Sequence, residues 1–172
     1  MNTEDVKKLN SYLSFNMNEE VFALNVSSVL SILELPKITR IPQAPDYIKG
    51  MINLRGEVLP VVDFHVKLGM PLTEITSNTC ILVIEIIVNN ELLKCGIMVD
   101  TVNEVYEIEA DKILPPPTIG NSFRSDFIEG IYRNGESLIM LVNIVNVFKY
   151  QDLYNIKDTI DNVQEEVQPL TE

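Results

Sequence analysis

Few residues of this chain are suited to catalysis, and His65 is the most prominent of them. It is the only histidine, so a mechanism in which histidine activates serine or cysteine would have to use it. It follows a predicted strand end beside Val66 and Leu68, which is typical of a surface or half-buried side chain. The sequence contains no GxxxxGKS or GxxxxGKT loop, no GxGxxG motif and no GxSxG elbow. We therefore expect no enzyme activity and no cofactor. The alternative is a small β-barrel hydrolase or ligand-binding protein that uses His65 with nearby carboxylates.

The potential metal ligands do not form a recognisable set. Cys80 and Cys95 both lie inside apolar, strand-like runs, which is typical of buried free thiols. Two cysteines and one histidine cannot complete a tetrahedral zinc site without carboxylates. A group of acidic residues near one predicted strand end lacks the order of a calcium loop. Its members are Glu104, Glu107, Glu109 and Asp111. We interpret that group as a solvated rim and expect no metal ion.

Arg55 is the residue that most favours a binding role. It lies between the apolar runs MINL and VLPVVDF, next to Gly56, so a tight turn is expected there. The planar fork of donors on an arginine suits a carboxylate or backbone carbonyl groups. A similar hairpin occurs later in the chain, where Gly135 occupies the corresponding position. Since the second copy lacks the arginine, the fold does not require it, and we infer an interaction role for Arg55.

Short alternating apolar runs, bounded by glycine, proline and asparagine, predict a chain built mainly of strands. Besides the hairpin around Arg55, strands are expected over residues 10–17, 21–25, 29–35, 79–88, 91–99, 102–108, 127–133 and 137–142. In the third strand, Val29, Ile32 and Leu33 are expected to face inward, and Ser27 and Ser28 to cap one helical turn. Asp63 is a plausible cap for a turn or short helix over residues 65–70. Residues 143 to about 166 predict a C-terminal helix.

An internal repeat organises these strands. Gly50 and Gly130 stand 80 residues apart, and the residues that follow each of them match in type. A weaker match, at an offset of 73, aligns Val29 with Val102. Two long copies predict an all-β fold of two similar barrels with a groove between them. We expect one domain over residues 10–149, of two intertwined lobes with a boundary near residues 70–79, and a helix or tail over residues 150–172.

The charge of the chain limits its partners. With 13 basic and 25 acidic residues the formal net charge is −12, which argues against binding nucleic-acid phosphates or inserting at an anionic membrane. The polar N-terminus lacks the apolar segment of a secretory signal. The apolar run over residues 81–88 is interrupted by Glu85 and is too short to span a bilayer. We expect a soluble, cytoplasmic protein.

Three segments in order, YIKGMINLRGEVLPVVDF, KCGIMVDTVNEV and FIEGI with LIMLVNI, resemble the CheW chemotaxis coupling family. The resemblance covers about residues 10–149. It implies two five-stranded SH3-like barrels with a hydrophobic groove between them and no enzymatic activity. It also implies a role as an adaptor that couples methyl-accepting chemoreceptors to the CheA histidine kinase. The expected partners are the cytoplasmic tip of the receptor and the regulatory domain of the kinase, assembled in arrays beneath the membrane.

The same resemblance assigns candidate residues for binding receptor and kinase. They are Val29, Gly50, Arg55, Gly56, Gly96, Val102 and Val105. Family members commonly carry glutamate at the position of Ser31, where it can pair with the arginine, and here Glu34 lies three residues further on. Either Glu34 substitutes for that glutamate or Arg55 is free to contact a partner.

Two other assignments within the family are considered. A CheW-like scaffold could instead serve a receptor–kinase pathway that controls pili, development or second messengers. The CheV type adds a receiver domain, which we do not expect, because too few residues follow the predicted barrels.

Overall fold

The computed structural model describes residues 10–72, 74–116, 126–148 and 150–167. Residues 168–172 of the predicted C-terminal helix or tail lie outside the described residues. The described residues form strands β1 (Ser11–Met17), β2 (Glu20–Asn25), β3 (Val29–Glu34), β4 (Ile48–Leu54), β5 (Glu57–Asp63), β6 (Cys80–Val88), β7 (Glu91–Val99), β8 (Thr101–Glu107), β9 (Ile113–Leu114), β10 (Ile128–Asn134) and β11 (Ser137–Val142). They also form helices α1 (Phe64–Leu68), α2 (Ile144–Val147) and α3 (Tyr150–Val167).

The strands form two sheets, each of which draws on both halves of the chain. Sheet 1 has the order β8–β1–β2–β11–β10–β9, and sheet 2 has the order β3–β6–β7–β5–β4. Strand β3 follows β2 in sequence but pairs with β6, whereas β8 follows β7 but pairs with β1. The predicted all-β fold with two subdomains and a C-terminal helix is confirmed. The boundary near residues 70–79 stays a prediction, and strands from both sides of it occur in each sheet.

The internal repeat corresponds to the same pairing pattern in both sheets. Val61 of β5 pairs in parallel with Gly96 of β7, and Leu141 of β11 pairs in parallel with Ala23 of β2. Those two pairs are related by the sequence offsets of 80 and 73. The register shifts at Gly50 and at Gly130 recur in the same way. The two sheets therefore share one pairing pattern, and each combines strands from both copies of the repeat.

The largest hydrophobic core lies between the sheets and joins them. It includes Phe15 and Leu24 of sheet 1 and Leu82 and Ile97 of sheet 2, all fully buried. The centre of the Phe15 ring lies 6.0 Å from the centre of the Phe64 ring, and Phe64 begins α1 directly after the last residue of β5. Two smaller cores fill the individual sheets. Because the main core requires both sheets, they are expected to fold together.

Three local predictions are wrong. Ile32 faces solvent, because side chains alternate along β3 and Val29, Ser31 and Leu33 occupy the inner positions. The helical turn after β2 is capped by the side chain of Asn25, which accepts from the Ser27 backbone N–H. The predicted C-terminal helix is interrupted at Phe148, so α2 is a separate turn and the long helix begins at Tyr150.

Among its described side chains, helix α3 packs on sheet 2 through the buried Ile156 and a polar cluster. Ile156 is fully buried. Asp152 pairs with Lys67 of α1, whose ammonium lies 4.6 Å from the centre of the Tyr47 ring. The side-chain amide of Asn155 donates to the Tyr47 hydroxyl at 3.2 Å. These contacts fix the first half of α3, and among the described helices none is long and apolar enough to cross a membrane.

Candidate functional site

Arg55 and Gly56 form the tight turn between β4 and β5. Both have positive φ angles, 52° and 84°, as a two-residue hairpin turn requires. The Asn53 side chain accepts a hydrogen bond from the Gly56 backbone N–H at 2.9 Å, which closes the turn. The Arg55 side chain is exposed and forms no ion pair with the part of the chain that the structure describes. Glu34 therefore does not take the place of the glutamate that family members commonly carry at the position of Ser31. The guanidinium is available to a partner.

The buried glycines among the candidates allow close approach of the protein's own chain. A Cβ on Gly50 would lie 2.3 Å from the carbonyl oxygen of Thr39, which pairs with Met51 beside it. A Cβ on Gly96 would lie 2.6 Å from the Ile81 side chain. The approaching group in both cases is part of the fold, so their direct contact with a partner stays a prediction.

The candidate valines lie on β3, at one edge of sheet 2, and on β8, at one edge of sheet 1. Val29 and Val102 are partly buried against the core between the sheets. Val105 is 56% exposed. Leu30 and Ile32 of β3, each 49% exposed, add apolar surface that sequence reasoning missed. Strict alternation along β3 was the signal that could have identified them.

His65 is buried, so the prediction of a surface or half-buried histidine is wrong. Its side chain is 3% exposed and lies between two carboxylates. Nδ1 lies 3.3 Å from Asp63 Oδ1, and Nε2 lies 2.9 Å from Asp100 Oδ1. The Asp63 side chain also accepts from the His65 backbone N–H and caps α1, as the sequence predicted. The carboxylates required by the hydrolase alternative are present, but burial of the ring gives a substrate no access to it.

The other candidate ligands behave as structural residues. Cys80 and Cys95 are free and buried, as predicted. Burial raises the pKa of the Cys80 thiol, and it raises the pKa of Cys95 to about 12. Both thiols are therefore neutral and poor nucleophiles near neutral pH. Among the described residues, no group of three or more histidine, cysteine, aspartate or glutamate side chains could hold a metal ion.

A groove of about 890 Å³ lies between the β6–β7 hairpin, β5 and one face of α3. Leu59, Leu93 and Ile160 contribute apolar surface, and the rim carries more carboxylates than lysines. Lys94 pairs with Glu57 within the lining. None of the seven candidate residues lines this groove. The predicted groove between the two barrels, with those residues on its walls, stays a prediction.

A model of the CheW-like domain matches residues 11–152, and those residues contain both sheets. The chain belongs to the CheW-like domain family. The chemotaxis protein CheW of Rhizobium meliloti is 32% identical to it over 140 residues, 81% of this chain and 88% of the relative. The chemotaxis protein CheW of Bacillus subtilis is 32% identical over 141 residues, 82% of this chain and 88% of that relative.

A solved CheW structure agrees with the observed fold. The crystal structure of the scaffolding protein TtCheW from Thermoanaerobacter tengcongensis matches with a TM-score of 0.72 at 29% identity. The match covers 83% of this chain and 94% of that one. The family that the sequence motifs indicated is confirmed, and with it a place among CheW-type scaffold proteins.

Proposed function

We propose that this CheW-like protein is a non-catalytic adaptor that couples methyl-accepting chemoreceptors to a CheA-type histidine kinase in signalling arrays. The relatives from Rhizobium meliloti and Bacillus subtilis are both named chemotaxis proteins, and each aligns with more than four fifths of this chain. The buried histidine and thiols support a role without catalysis, since these potential nucleophiles and bases are inaccessible or neutral.

The observation that carries the proposal is the state of Arg55. A residue with a Cβ is disfavoured at positive φ, yet an arginine occupies this position with its side chain exposed and unpaired among the described residues. An exposed guanidinium on a rigid turn can bind a partner carboxylate in a bidentate manner with little loss of conformational entropy. We assign Arg55 the role of fixing the orientation of the receptor or the kinase.

Apolar side chains on β3 and β8 supply a second part of the proposed contact. Leu30, Ile32 and Val105 present exposed branched side chains on strands at sheet edges. A receptor hairpin tip is helical, and helices commonly bind through apolar residues laid against such a surface. The partly buried Val29 and Val102 connect this surface to the core between the sheets.

Reconstitution tests the proposal. Wild-type protein is expected to co-sediment with receptor cytoplasmic fragments and CheA, and to place kinase activity under receptor control. Arg55→Ala should weaken that control without unfolding the protein. Arg133→Ala is a matched control, because Arg133 is also exposed and lies near the tip of the equivalent hairpin. Failure of the wild-type protein to bind either partner would refute the adaptor role, and full control by Arg55→Ala would refute the role of Arg55.

A further inference from the structure

Strands β5 and β7 of sheet 2 are neighbours, but they pair along only part of their length. They pair in parallel from Val61 and Gly96 onward. Before that point, β5 pairs with β4 and β7 pairs with β6, and no ladder joins residues 57–60 to residues 91–95 in the described part of the chain. We call the space between these two segments the β5–β7 cleft.

Sheet 1 shows that the repeated unit does not require such a cleft. At the offset of 80, Leu59 corresponds to Ile139, which pairs directly with Val21 of β2. Parallel pairing in sheet 1 thus starts two positions earlier than in sheet 2. Pro60 occupies the position of Met140, and proline has no N–H to donate to a neighbouring strand. The cleft is therefore specific to one copy.

The cleft presents the edges of two strands. It forms part of the groove of about 890 Å³, which is lined by residues 57–59 of β5 and 91–94 of β7. Successive side chains of a strand point to opposite faces, so a groove that consecutive residues line borders the strand's edge, where main-chain groups lie. Helix α3 flanks the groove with a stripe that includes Tyr154 and Asp161. An extended segment could therefore reach unpaired main-chain groups of β7.

The charge of the lining favours a basic occupant. The described lining residues include five carboxylates and two lysines, a formal charge of −3. Both lysines already pair within the lining, Lys94 with Glu57 at 3.1 Å and Lys157 with Glu91 at 2.8 Å. Excess negative charge in a groove attracts cationic groups and repels phosphate, so a lipid headgroup or a nucleic acid is disfavoured there.

The groove also has apolar surface for an occupant to cover. Leu59 and Leu93 are buried residues of its lining, whereas Leu92 is 62% exposed and Tyr154 is 59% exposed. Large exposed apolar side chains beside a groove are typical of interaction sites. The occupant is therefore expected to combine basic and apolar side chains.

We propose that the β5–β7 cleft is a docking site for an extended cationic segment of a partner protein, which adds as a strand to the edge of β7. Main-chain hydrogen bonds to residues 91–94 provide affinity, as in other cases of strand addition. Apolar side chains of the segment cover Leu92, and its basic side chains lie near Glu85 and Asp161. None of the seven candidate receptor- and kinase-binding residues lines this groove, so the site goes beyond the proposed adaptor function.

A short synthetic peptide tests the site. The probe is KVKVKVK, blocked at both ends, which alternates basic and apolar residues and is titrated into the ¹⁵N-labelled full-length protein. We expect saturable shifts of the backbone amides of residues 57–59, 85–94 and 154–161. At a free peptide concentration ten times Kd, alternate amide hydrogens of residues 91–94 should exchange about tenfold more slowly, because they become hydrogen-bonded. Shifts without this protection would show docking in another form and overturn strand addition.

Two altered peptides test the chemistry of recognition. EVEVEVE reverses the charge, and a KVKVKVK peptide that is N-methylated at alternate residues keeps the side chains but loses main-chain donors. Both should bind at least about tenfold more weakly than KVKVKVK. Equal affinity of the acidic peptide would refute the electrostatic part of the proposal, and equal affinity of the methylated peptide would refute main-chain pairing. Absence of binding by KVKVKVK would refute the site.

Matched variants separate the cleft from general attraction to an acidic protein. Glu85→Gln combined with Asp161→Asn should weaken binding by at least about fivefold at low salt. The control, Glu107→Gln combined with Asp111→Asn, removes the same charge from exposed residues outside the groove and should leave binding unchanged. Equal losses in the two double variants would assign binding to net charge and overturn the proposal.

The apolar contribution has its own matched pair. Leu92→Ala should weaken peptide binding by about tenfold, whereas Leu138→Ala, at a 52% exposed leucine of β11 in sheet 1, should not. Both residues are exposed, so the fold is retained. Amides of residues 91–94 that shift with protein concentration in the absence of peptide would assign the cleft to a second copy and refute the proposal. Since neither receptor nor kinase is present, failure of the cleft leaves the adaptor role untouched.

Discussion

Replacing Arg55 by glycine separates the contribution of this residue to the fold from its contribution to a partner. The backbone φ angle of 52° is unfavourable for a residue with a Cβ by about 1–2 kcal/mol, and glycine adopts it freely. Glycine also adds conformational entropy to the unfolded chain, which offsets about 0.4–1 kcal/mol of that gain. The exposed side chain forms no ion pair among the described residues, so its removal should have little further effect.

The net expectation for Arg55→Gly is a free energy of unfolding higher by about 0.5–1 kcal/mol. For a chain of this size that corresponds to a melting temperature about 1–4 °C higher. Coupling should change in the opposite direction. If removing the arginine costs about 1.4–2.8 kcal/mol of binding free energy, the affinity for the partner falls by about tenfold to a hundredfold.

The equivalent hairpin supplies a reciprocal control. Gly135 has a φ angle of 63°, and a Cβ there would meet no atom within 4 Å, so Gly135→Arg introduces backbone strain without a steric clash. It should lower stability by about the amount that Arg55→Gly raises it and leave coupling unchanged. Urea unfolding and receptor-controlled kinase assays measure the two effects. A less stable Arg55→Gly protein would refute the reasoning on the turn, and full coupling by it would refute the reasoning on the partner.

Three further predictions concern residues within the fold. Gly50→Ala should lower the free energy of unfolding in urea by about 2–4 kcal/mol, because its Cβ meets backbone, whereas Gly69→Ala, which has open space, should lower it by only about 1 kcal/mol. The thiol of Cys95, with a pKa raised to about 12, should resist a thiol reagent at about pH 8 in the native protein and react after unfolding in urea. Asp152→Ala leaves the partly buried Lys67 unpaired, so amide hydrogen exchange in α3 should accelerate, by at least about tenfold if the loss exceeds 1.4 kcal/mol.

Much of the strand framework could be predicted because its signals are local. Glycine or asparagine marks each of the tight hairpin turns, and the pair Asn89 and Asn90 both adopt positive φ as expected. The helix cap at Asp63 follows the same logic, since the side chain bonds to a backbone group two residues later. The repeat indicated that two copies of one unit exist. It did not indicate that each copy divides its strands between the two sheets, since pairing between distant strands has no local signal.

The environment of His65 could not be predicted for a related reason. Asp63 is two residues away, but Asp100 is 35 residues further along the chain and is brought close by the parallel pairing of β5 with β7. Burial of the ring depends on the core between the sheets, and the residue pattern of a single strand does not reveal that core. Ile32 was assigned to the wrong face for a simpler reason, because it was grouped with Val29 at a spacing of three residues on a strand of period two.

The chain crosses between the two sheets at two points, and several of the residues discussed above lie near these crossings. The chain crosses from sheet 1 to sheet 2 between β2 and β3, and it crosses back to sheet 1 between β7 and β8. Each crossing leads directly into a strand at the edge of a sheet. Val29 is the first residue of β3 and Val102 is the second residue of β8, and both pack on the shared core next to a crossing. Arg55 and His65 have no counterpart in the other copy, and Nε2 of His65 lies 2.9 Å from Oδ1 of Asp100, the residue between β7 and β8. The duplicated framework is therefore asymmetric in its side chains, with an imidazole–carboxylate contact at the crossing into β8.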